Sequence, residues 1–227
     1  MPEELRKLLR MKNLIDIIPG ILEKEWSSLE GKLLLAAPHV EWVQIDIADN
    51  TLVPNTTFMD FEKFAPANLL RQLEHLSLEA HLMVANPEKY IKPLADAGFK
   101  RLIAHVESHD PRLFLEQAKH EQVEVGMAID GPTEFEQVEP FLDQVDVVLV
   151  MTIEAGFSGQ EFMLETVEKI KLIHQNFPDL PIEVDGGINQ KTAQIATEAG
   201  ATRLVSTSYI FNNPDGIAAA LESLKSV

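Results

Sequence analysis

Short β-rich runs alternate with helical patterns along the chain, without a linker rich in Gly, Pro or Ser. Eight strands alternating with helices in about 200 to 250 residues are typical of a (β/α)8 TIM barrel, with an open doubly wound sheet as the alternative. The predicted strands are Ile15–Pro19, Trp42–Ile47, Ser77–Met83, Arg101–Val106, Val123–Ile129, Val145–Met151, Pro181–Asp185 and Arg203–Thr207. The predicted helices are Ala67–Glu74, Pro87–Ala97, Pro111–His120, Thr133–Leu142, Leu164–Asn176, Gln190–Ala199 and Asp215–Lys225.

Length and composition indicate one domain over residues 1–227, because 227 residues that are 45% hydrophobic can bury a full core. A charged helical extension is expected over about residues 1–13. The absence of cysteine excludes disulfides, thiolate metal sites and cysteine nucleophiles. No apolar run approaches the roughly 20 residues of a membrane span, and the net charge of −17 argues against nucleic acid as a partner. We therefore expect a cytoplasmic protein that contacts neither membrane nor nucleic acid.

Barrel chemistry takes place at the C-terminal ends of the strands, which gives a filter for site residues. Asp46 and Asp185 each end an apolar strand, and Asp185 is followed by two glycines. An Asp-Gly-Gly turn lets the backbone approach another group closely, and phosphate is a common ligand of such a turn. The other residues that pass the filter are Gln44, His81, Met83, Met151 and Ser208. No role is assigned to His39, His75, His105, His109, His120 or His174.

The segments HLMVANPEKY, VLVMTIEAGFSGQEF and IEVDGGIN make the sequence similar to the ribulose-phosphate 3-epimerase family over nearly its whole length. The resemblance implies a ribulose-phosphate-binding barrel that interconverts D-ribulose 5-phosphate and D-xylulose 5-phosphate, or a related sugar phosphate. It also implies that Asp46 and Asp185 are the acid/base pair, that His81 is a metal ligand, and that Met83 and Met151 form an apolar cap. A homo-oligomer is expected on the same ground.

Epimerisation next to a carbonyl explains these residue types. One group must remove a proton on one face of the carbon and a second must supply one on the other, which two opposed aspartates can do. The enediolate formed is negative, so a divalent cation or oriented donors must stabilise it. The resemblance implies Gln44, Asp46, His81 and Asp185 as ligands of a Zn, Mn, Mg or Fe ion, with no organic cofactor. Gln44 stands where the family has His, which weakens the expected affinity.

Further departures from the family pattern lie at the same end of the barrel. Gly20 replaces a Ser and Ala48 a Met, two changes expected to enlarge the pocket, while Thr207 replaces a Gly. Backbone amides of Gly186, Gly187 and Ser208, beside Thr207, are still expected to bind phosphate. The loop after strand 6 is expected to act as a lid; its residues are Gly156, Phe157, Ser158 and Gly159, with Ala155 in place of a Pro.

Two functions remain open from the sequence. The departures at Gly20, Gln44, Ala48 and Thr207 suggest a catalytically weak or non-enzymatic barrel that binds a phosphorylated small molecule. The two aspartates could then be helix caps or ion-pair partners. Retention of both buried carboxylates, which are costly when unpaired, favours the epimerase. A Schiff-base aldolase is excluded because no predicted strand ends in lysine. The Asp-x-Lys-x-x-Asp array of related sugar-phosphate barrels is also missing from strand 3.

Overall fold

Eight parallel strands close into a barrel in the computed structural model, which describes residues 15–65, 73 and 75–227. Each strand pairs with the next along the chain, and β1 pairs with β8. The predicted fold class is therefore confirmed. The strands are β1 (Asp16–Ile21), β2 (Trp42–Ala48), β3 (Ser77–Met83), β4 (Arg101–His105), β5 (Glu124–Ile129), β6 (Val147–Met151), β7 (Ile182–Asp185) and β8 (Arg203–Ser206).

Helices follow the strands on the outside of the barrel. They are α1 (Trp26–Ala36), α2 (Ile91–Asp96), α3 (Pro111–Ala118), α4 (Phe135–Val138), α5 (Thr166–Asn176), α6 (Gln190–Ala199), α7 (Ser208–Phe211) and α8 (Ile217–Lys225), with 3-10 turns at Phe61–Phe64, Pro87–Lys89 and Glu139–Gln144. Within the described part of the chain, no helix is long and apolar enough to cross a membrane. The predicted N-terminal extension and, apart from Leu73, the predicted helix Ala67–Glu74 lie outside the described residues.

The predicted helices differ from the observed ones in two ways. The sequence pattern predicts no helix between β1 and β2, where α1 lies, and none at α7. The pattern also predicts single helices over Pro87–Ala97 and Thr133–Leu142, but each of these segments is divided into a 3-10 turn and a short α-helix. Pro140 accounts for the second division, because it lacks the N–H that would continue the helical hydrogen bonds of α4.

Alternate residues of a strand enter two different apolar clusters. Val148 and Val150 of β6 pack in the large cluster shared with the helices, whereas Val147, Leu149 and Met151 belong to a smaller cluster with Ile103 of β4. The division arises because successive side chains of a strand point to opposite faces of the sheet. Because both faces are buried, β6 reads as the continuous apolar run VVLVM, whereas polar residues such as Glu79 and His81 of β3 are buried inside the barrel.

A buried charge cluster lies toward the N-terminal ends of the strands. The Arg101 guanidinium contacts Glu79, lies 2.6 Å from Glu124 Oε2 and 3.7 Å from Glu183 Oε2, and stacks on the Trp42 ring. Burial raises the pKa of Glu183 well above its usual value, and the neighbouring Glu79 raises it further. The candidate site lies at the opposite end of the barrel, where the strands have their C-terminal ends.

Candidate active site

Two aspartates and a histidine meet at the C-terminal end of the barrel. Asp46 of β2 and His81 of β3 are register partners, and Asp185 ends β7. His81 Nδ1 lies 3.1 Å from Asp46 Oδ1 and 3.7 Å from Asp185 Oδ2. All three side chains are buried, and one ligand atom from each lies within 4.8 Å of the others. The group has the donor atoms and spacing to hold a metal ion.

The Gln44 amide joins the two aspartates. Its Nε2 donates hydrogen bonds to Asp46 Oδ1 at 2.8 Å and to Asp185 Oδ2 at 2.7 Å. Its Oε1 is buried and has no hydrogen-bond partner among the described residues. Turning the amide by about 180° would direct this oxygen toward the carboxylates instead. In this arrangement Gln44 is a donor to the two aspartates, and its role as a ligand stays a prediction.

Burial sets the protonation of these groups. It raises the pKa of Asp46 to about 7, with the Gln44 hydrogen bond acting in the opposite direction. It also raises the pKa of Asp185 to about 7, and the nearby Asp46 charge adds to that effect. Burial, followed by the neighbouring His105, lowers the pKa of His81 to about 3. The His81 contact with Asp46 is therefore a hydrogen-bond contact of a neutral imidazole, and both aspartates titrate near neutral pH.

His105 and Glu107 extend the site, and neither was predicted from the sequence as a site residue. His105 Nε2 lies 2.8 Å from His81 Nε2, with the two rings stacked at a centroid distance of 5.0 Å. On its other side, His105 Nδ1 lies 3.1 Å from Glu107 Oε2. The strand was predicted to continue to Val106, whereas β4 ends at His105. With that boundary, the strand-end filter would have selected His105.

A cavity that is partly open to solvent lies above the aspartates. Every predicted acid/base and substrate-binding residue lines it: Asp46, His81, Met83, Met151, Gly156, Phe157, Ser158, Gly159, Asp185, Gly186, Gly187, Thr207 and Ser208. Gln44, which precedes Asp46 on β2, does not line the cavity. The remaining lining residues were not predicted from the sequence; they are Leu22, Ile153, Ile188, Val205 and Ser206.

The Asp-Gly-Gly turn is packed against the segment that follows β6. Gly186 and Gly187 have φ values of 119° and 63°. A Cβ on Gly186 would lie 2.4 Å from Ile153 Cγ1, and one on Gly187 would lie 2.7 Å from the Phe162 backbone nitrogen. The close approach predicted for this turn is therefore made by the protein itself. Phosphate binding at the turn stays a prediction.

The predicted lid is held at its base and exposed at its tip. The Asn55 amide donates to the Gly156 carbonyl at 2.7 Å. Asp130 Oδ1 accepts a hydrogen bond from the Ala155 N–H at 3.2 Å. Phe157, one residue beyond Gly156, is 50% exposed. The anchor residues come from the segments after β2 and β5, so this loop is tied to two other strand ends.

The expected enlargement of the pocket is not found at residue 20. The space in which a side chain on Gly20 would lie is occupied by Thr207 and Val205. These two side chains therefore take up the volume that the smaller residue at position 20 releases. Ala48 packs in a small apolar cluster with Val53 and Met83, and enlargement of the pocket at that residue stays a prediction.

The fold and this site define a (β/α)8 barrel with a buried pair of aspartates at its catalytic end. A profile of the ribulose-phosphate 3-epimerase family matches residues 16–211, and the chain belongs to that family. It is 34% identical over 213 residues to the ribulose-phosphate 3-epimerase of Schizosaccharomyces pombe, covering 91% of this chain and 92% of that protein. It is 36% identical over 202 residues to the cytoplasmic isoform from Oryza sativa subsp. japonica, covering 86% of each.

Solved structures with low sequence identity share the fold. The 3-hexulose-6-phosphate synthase of Salmonella typhimurium superposes with a TM-score of 0.71 at 14% identity, covering 93% of this chain and 97% of that one. The orotidine 5'-phosphate decarboxylase of Pyrococcus horikoshii superposes with a TM-score of 0.66 at 15% identity, covering 92% and 97%. These similarities support the barrel architecture alone.

Proposed function

We propose that the chain is an epimerase that interconverts D-ribulose 5-phosphate and D-xylulose 5-phosphate, or a closely related sugar phosphate. The observation that carries the proposal is the pair of buried carboxylates, Asp46 and Asp185, bridged by Gln44. The names of the S. pombe and rice relatives support the same activity. No comparable observation favours a barrel that only binds a phosphorylated molecule.

The two aspartates carry the proton transfers. One carboxylate takes the C3 proton as the C3–H bond breaks, and the electron pair moves into an enediolate. The other, in its protonated form, then delivers a proton to the opposite face of C3. This scheme needs one ionised and one protonated group near neutral pH, and pKa values of about 7 supply both forms.

A divalent cation fits the same residues. Asp46, His81 and Asp185 would hold it, and the unpartnered Gln44 Oε1 could join them if the amide turned. The ion would supply positive charge beside the enediolate oxygens. Zinc, manganese, iron and magnesium are the candidates, and elemental analysis of the purified protein would identify the metal.

The remaining lining residues would bind and cover the substrate. We assign the phosphate group to backbone amides of Gly186, Gly187 and Ser208, beside the Thr207 hydroxyl. Met83 and Met151, both 2% exposed, would form the apolar walls around the reacting carbon. The loop from Gly156 to Gly159 would act as a lid that excludes water from the enediolate.

The test is exchange of the C3 proton of ribulose 5-phosphate in D2O, followed by NMR. The wild-type protein should exchange the proton, and Asp46→Asn and Asp185→Asn should each slow exchange by about 100-fold or more. Asp143→Asn makes the same chemical change at an exposed residue of the Glu139–Gln144 turn and should behave as the wild type. Near-normal exchange in Asp185→Asn would contradict the assignment.

Location and assembly are part of the same proposal. The rice relative is named a cytoplasmic isoform, which supports a cytoplasmic location here. We also expect a homo-oligomer. Light scattering coupled to size-exclusion chromatography would test this, and the mass of a monomer, 25.4 kDa, would contradict it.

A further inference from the structure

Both ends of the predicted lid are attached to the loop that follows β5. At the start of the lid, Asp130 Oδ1 accepts a hydrogen bond from the Ala155 N–H at 3.2 Å. After the lid, Lys169 of α5 donates from Nζ to the Asp130 carbonyl at 2.8 Å and to the Gly131 carbonyl at 3.0 Å. Asp130 therefore binds the start of the lid with its side chain and the helix after the lid with its main chain.

Lys169 is a buried lysine that the proposed mechanism does not use. Only 8% of its surface is exposed, and both hydrogen-bond partners of its Nζ are main-chain carbonyls. Burial of an amino group costs free energy unless hydrogen bonds replace its hydration. An apolar side chain of the same length would fill the same space without that cost. The presence of lysine here is therefore explained by the two carbonyls that it binds and not by packing.

Asp130 is itself fixed by further contacts. Its N–H donates to Glu107 Oε1 at 2.9 Å, and its Oδ1 also accepts a hydrogen bond from the Gly131 N–H at 2.9 Å. Gly131 packs closely on the segment after β6, because a Cβ there would lie 2.9 Å from Met163 Sδ and 3.3 Å from the Ile153 carbonyl oxygen. The loop after β5 is thus a fixed support for both ends of the lid.

The tip of the lid is less constrained than its ends. The Met163 N–H donates to the Thr152 carbonyl at 2.8 Å and closes the base of the loop. At the tip, Phe157 is 50% exposed, and no described atom lies within 4 Å of the position that a Cβ on Gly159 would occupy. Movement of the lid is therefore confined to the residues between these ends.

We propose that Asp130 and Lys169 are positioning residues that fix the two ends of the lid, so that closure over a sugar phosphate moves only the tip around Phe157. We call Asp130 and Lys169 the lid clamp. Fixed ends shorten the segment that must become ordered on closure, and a shorter segment loses less conformational entropy. The inference rests on the proposed function, in which the lid covers the enediolate, but its first test measures the backbone and needs no substrate.

Three substitutions separate the hydrogen bonds of the lid clamp. Asp130→Ala removes the acceptor of the Ala155 N–H, whereas Asp130→Asn keeps an oxygen that can accept the same bond. Lys169→Met keeps an unbranched apolar side chain and removes both bonds to the carbonyls. Lys171→Met is the matched control, because Lys171 lies on the same helix and is exposed.

The first measurement is hydrogen exchange of single backbone amides, followed by NMR in protein without substrate. The Ala155 amide should exchange about tenfold faster or more in Asp130→Ala and in Lys169→Met than in the wild type. Asp130→Asn and Lys171→Met should keep the wild-type rate. The Val148 amide of β6, which is hydrogen-bonded within the sheet, reports global unfolding. Comparison of the two amides separates opening of the lid from a general loss of stability, so a destabilised variant still gives a result.

The second measurement is the rate of C3 exchange of ribulose 5-phosphate. Because substrate can bind while the lid is open, KM should change by less than about threefold in Asp130→Ala and Lys169→Met, whereas kcat should fall about tenfold. The fall in kcat is expected because a lid with loose ends must be ordered in every turnover. Asp130→Asn should have the wild-type values of both constants.

Several results would overturn the proposal. An Ala155 amide that is unprotected in the wild type, or that exchanges no faster in Lys169→Met, would do so. Exchange as fast in Asp130→Asn as in Asp130→Ala would do so as well. A wild-type kcat in a variant whose Ala155 amide exchanges faster would show that the lid ends do not affect closure. Absence of C3 exchange in the wild-type protein would instead contradict the proposed function, and amide exchange would still decide whether the lid clamp exists.

Discussion

The Thr207 hydroxyl oxygen lies 2.7 Å from the position that a Cβ atom on Gly20 would occupy. The two residues come from neighbouring strand ends, because Pro19 of β1 is in register with Ser206 of β8. The family pattern in the sequence analysis has Ser and Gly at these two positions, and this chain has Gly and Thr. Two departures that look independent in the sequence are therefore one matched pair.

We expect Gly20→Ser alone to lower the free energy of unfolding by about 1 to 3 kcal/mol, because the added atoms overlap Thr207. Gly20→Ser with Thr207→Gly should recover part of that loss. Recovery stays partial because Val205 Cγ1 would still lie 2.9 Å from the new Cβ. Urea denaturation of the single and double variants measures the coupling. Thr207→Ser keeps the hydroxyl, so combining it with Gly20→Ser should give no recovery. Additive losses of stability for Gly20→Ser and Thr207→Gly would show that the two positions are not coupled.

Gln44→His should strengthen metal binding. An imidazole nitrogen is a better ligand for zinc than an amide oxygen, and the position lies between the two carboxylates. We expect the Zn²⁺ affinity to rise by about tenfold or more, measured by competition with a chromophoric chelator. Gln44→Leu offers no ligand atom and should not raise the affinity. An unchanged affinity in Gln44→His would show that residue 44 does not face the ion.

The raised pKa values of Asp46 and Asp185 predict that metal-free protein loses stability as the pH rises. In the unfolded chain these groups ionise near pH 3.9, whereas in the folded chain their pKa values are about 7. Between the two values the unfolded state holds fewer protons, so the free energy of unfolding falls with increasing pH. Asp185→Asn cannot ionise. It should gain stability relative to the wild type between pH 5 and pH 8, by up to about 3 kcal/mol.

Urea midpoints at pH 5 and pH 8, measured with a chelator present, test this expectation. Asp143→Asn is the control, and its stability should follow the wild type at both pH values. A constant difference between Asp185→Asn and the wild type would show that Asp185 ionises as readily in the folded chain as in the unfolded one.

Asn55→Ala should loosen the predicted lid. The substitution removes the hydrogen bond to the Gly156 carbonyl and leaves the lid tip, with its half-exposed Phe157, free to move. We expect chymotrypsin to cleave after Phe157 several times faster than in the wild type. We also expect the loss of stability to be about 1 to 2 kcal/mol, because the Asn55 side chain is buried.

Gln160→Ala is the control variant. It removes only the hydrogen bonds from Gln160 to the Glu154 and Phe157 carbonyls of the same loop and leaves the bond from Asn55 in place. Equal cleavage rates in Asn55→Ala and the wild type would exclude Asn55 as the anchor.

The strands were predictable from the sequence because each is buried on both faces, as in VVLVM of β6. Helix α1 was not predictable for two reasons. Glu25 at its N-cap makes no side-chain capping hydrogen bond, so the usual start signal is missing. Leu34 and Leu35 are 48% and 61% exposed, so the apolar residues of the helix do not mark its buried face.

Part of the candidate site was predictable as well. The strand-end rule brings Asp46, His81 and Asp185 together without knowledge of any distance. The bridge made by the Gln44 amide depends on a side-chain rotamer, and the contact of His105 with His81 depends on where β4 ends. Neither property can be read from residue type, and both determine how the site holds its protons.

The pairing of β1 with β8 joins the first and last strands of the sheet. During synthesis on the ribosome, Asp46 emerges long before Asp185, and β8 emerges last. Until then β1 and β7 are open edges on which another chain could add a strand. Closure depends on a contact between segments far apart in the chain, and such contacts form slowly. Assembly of the active site is therefore among the last events of biosynthesis, and a nascent chain stalled before β8 would carry both aspartates on an open sheet.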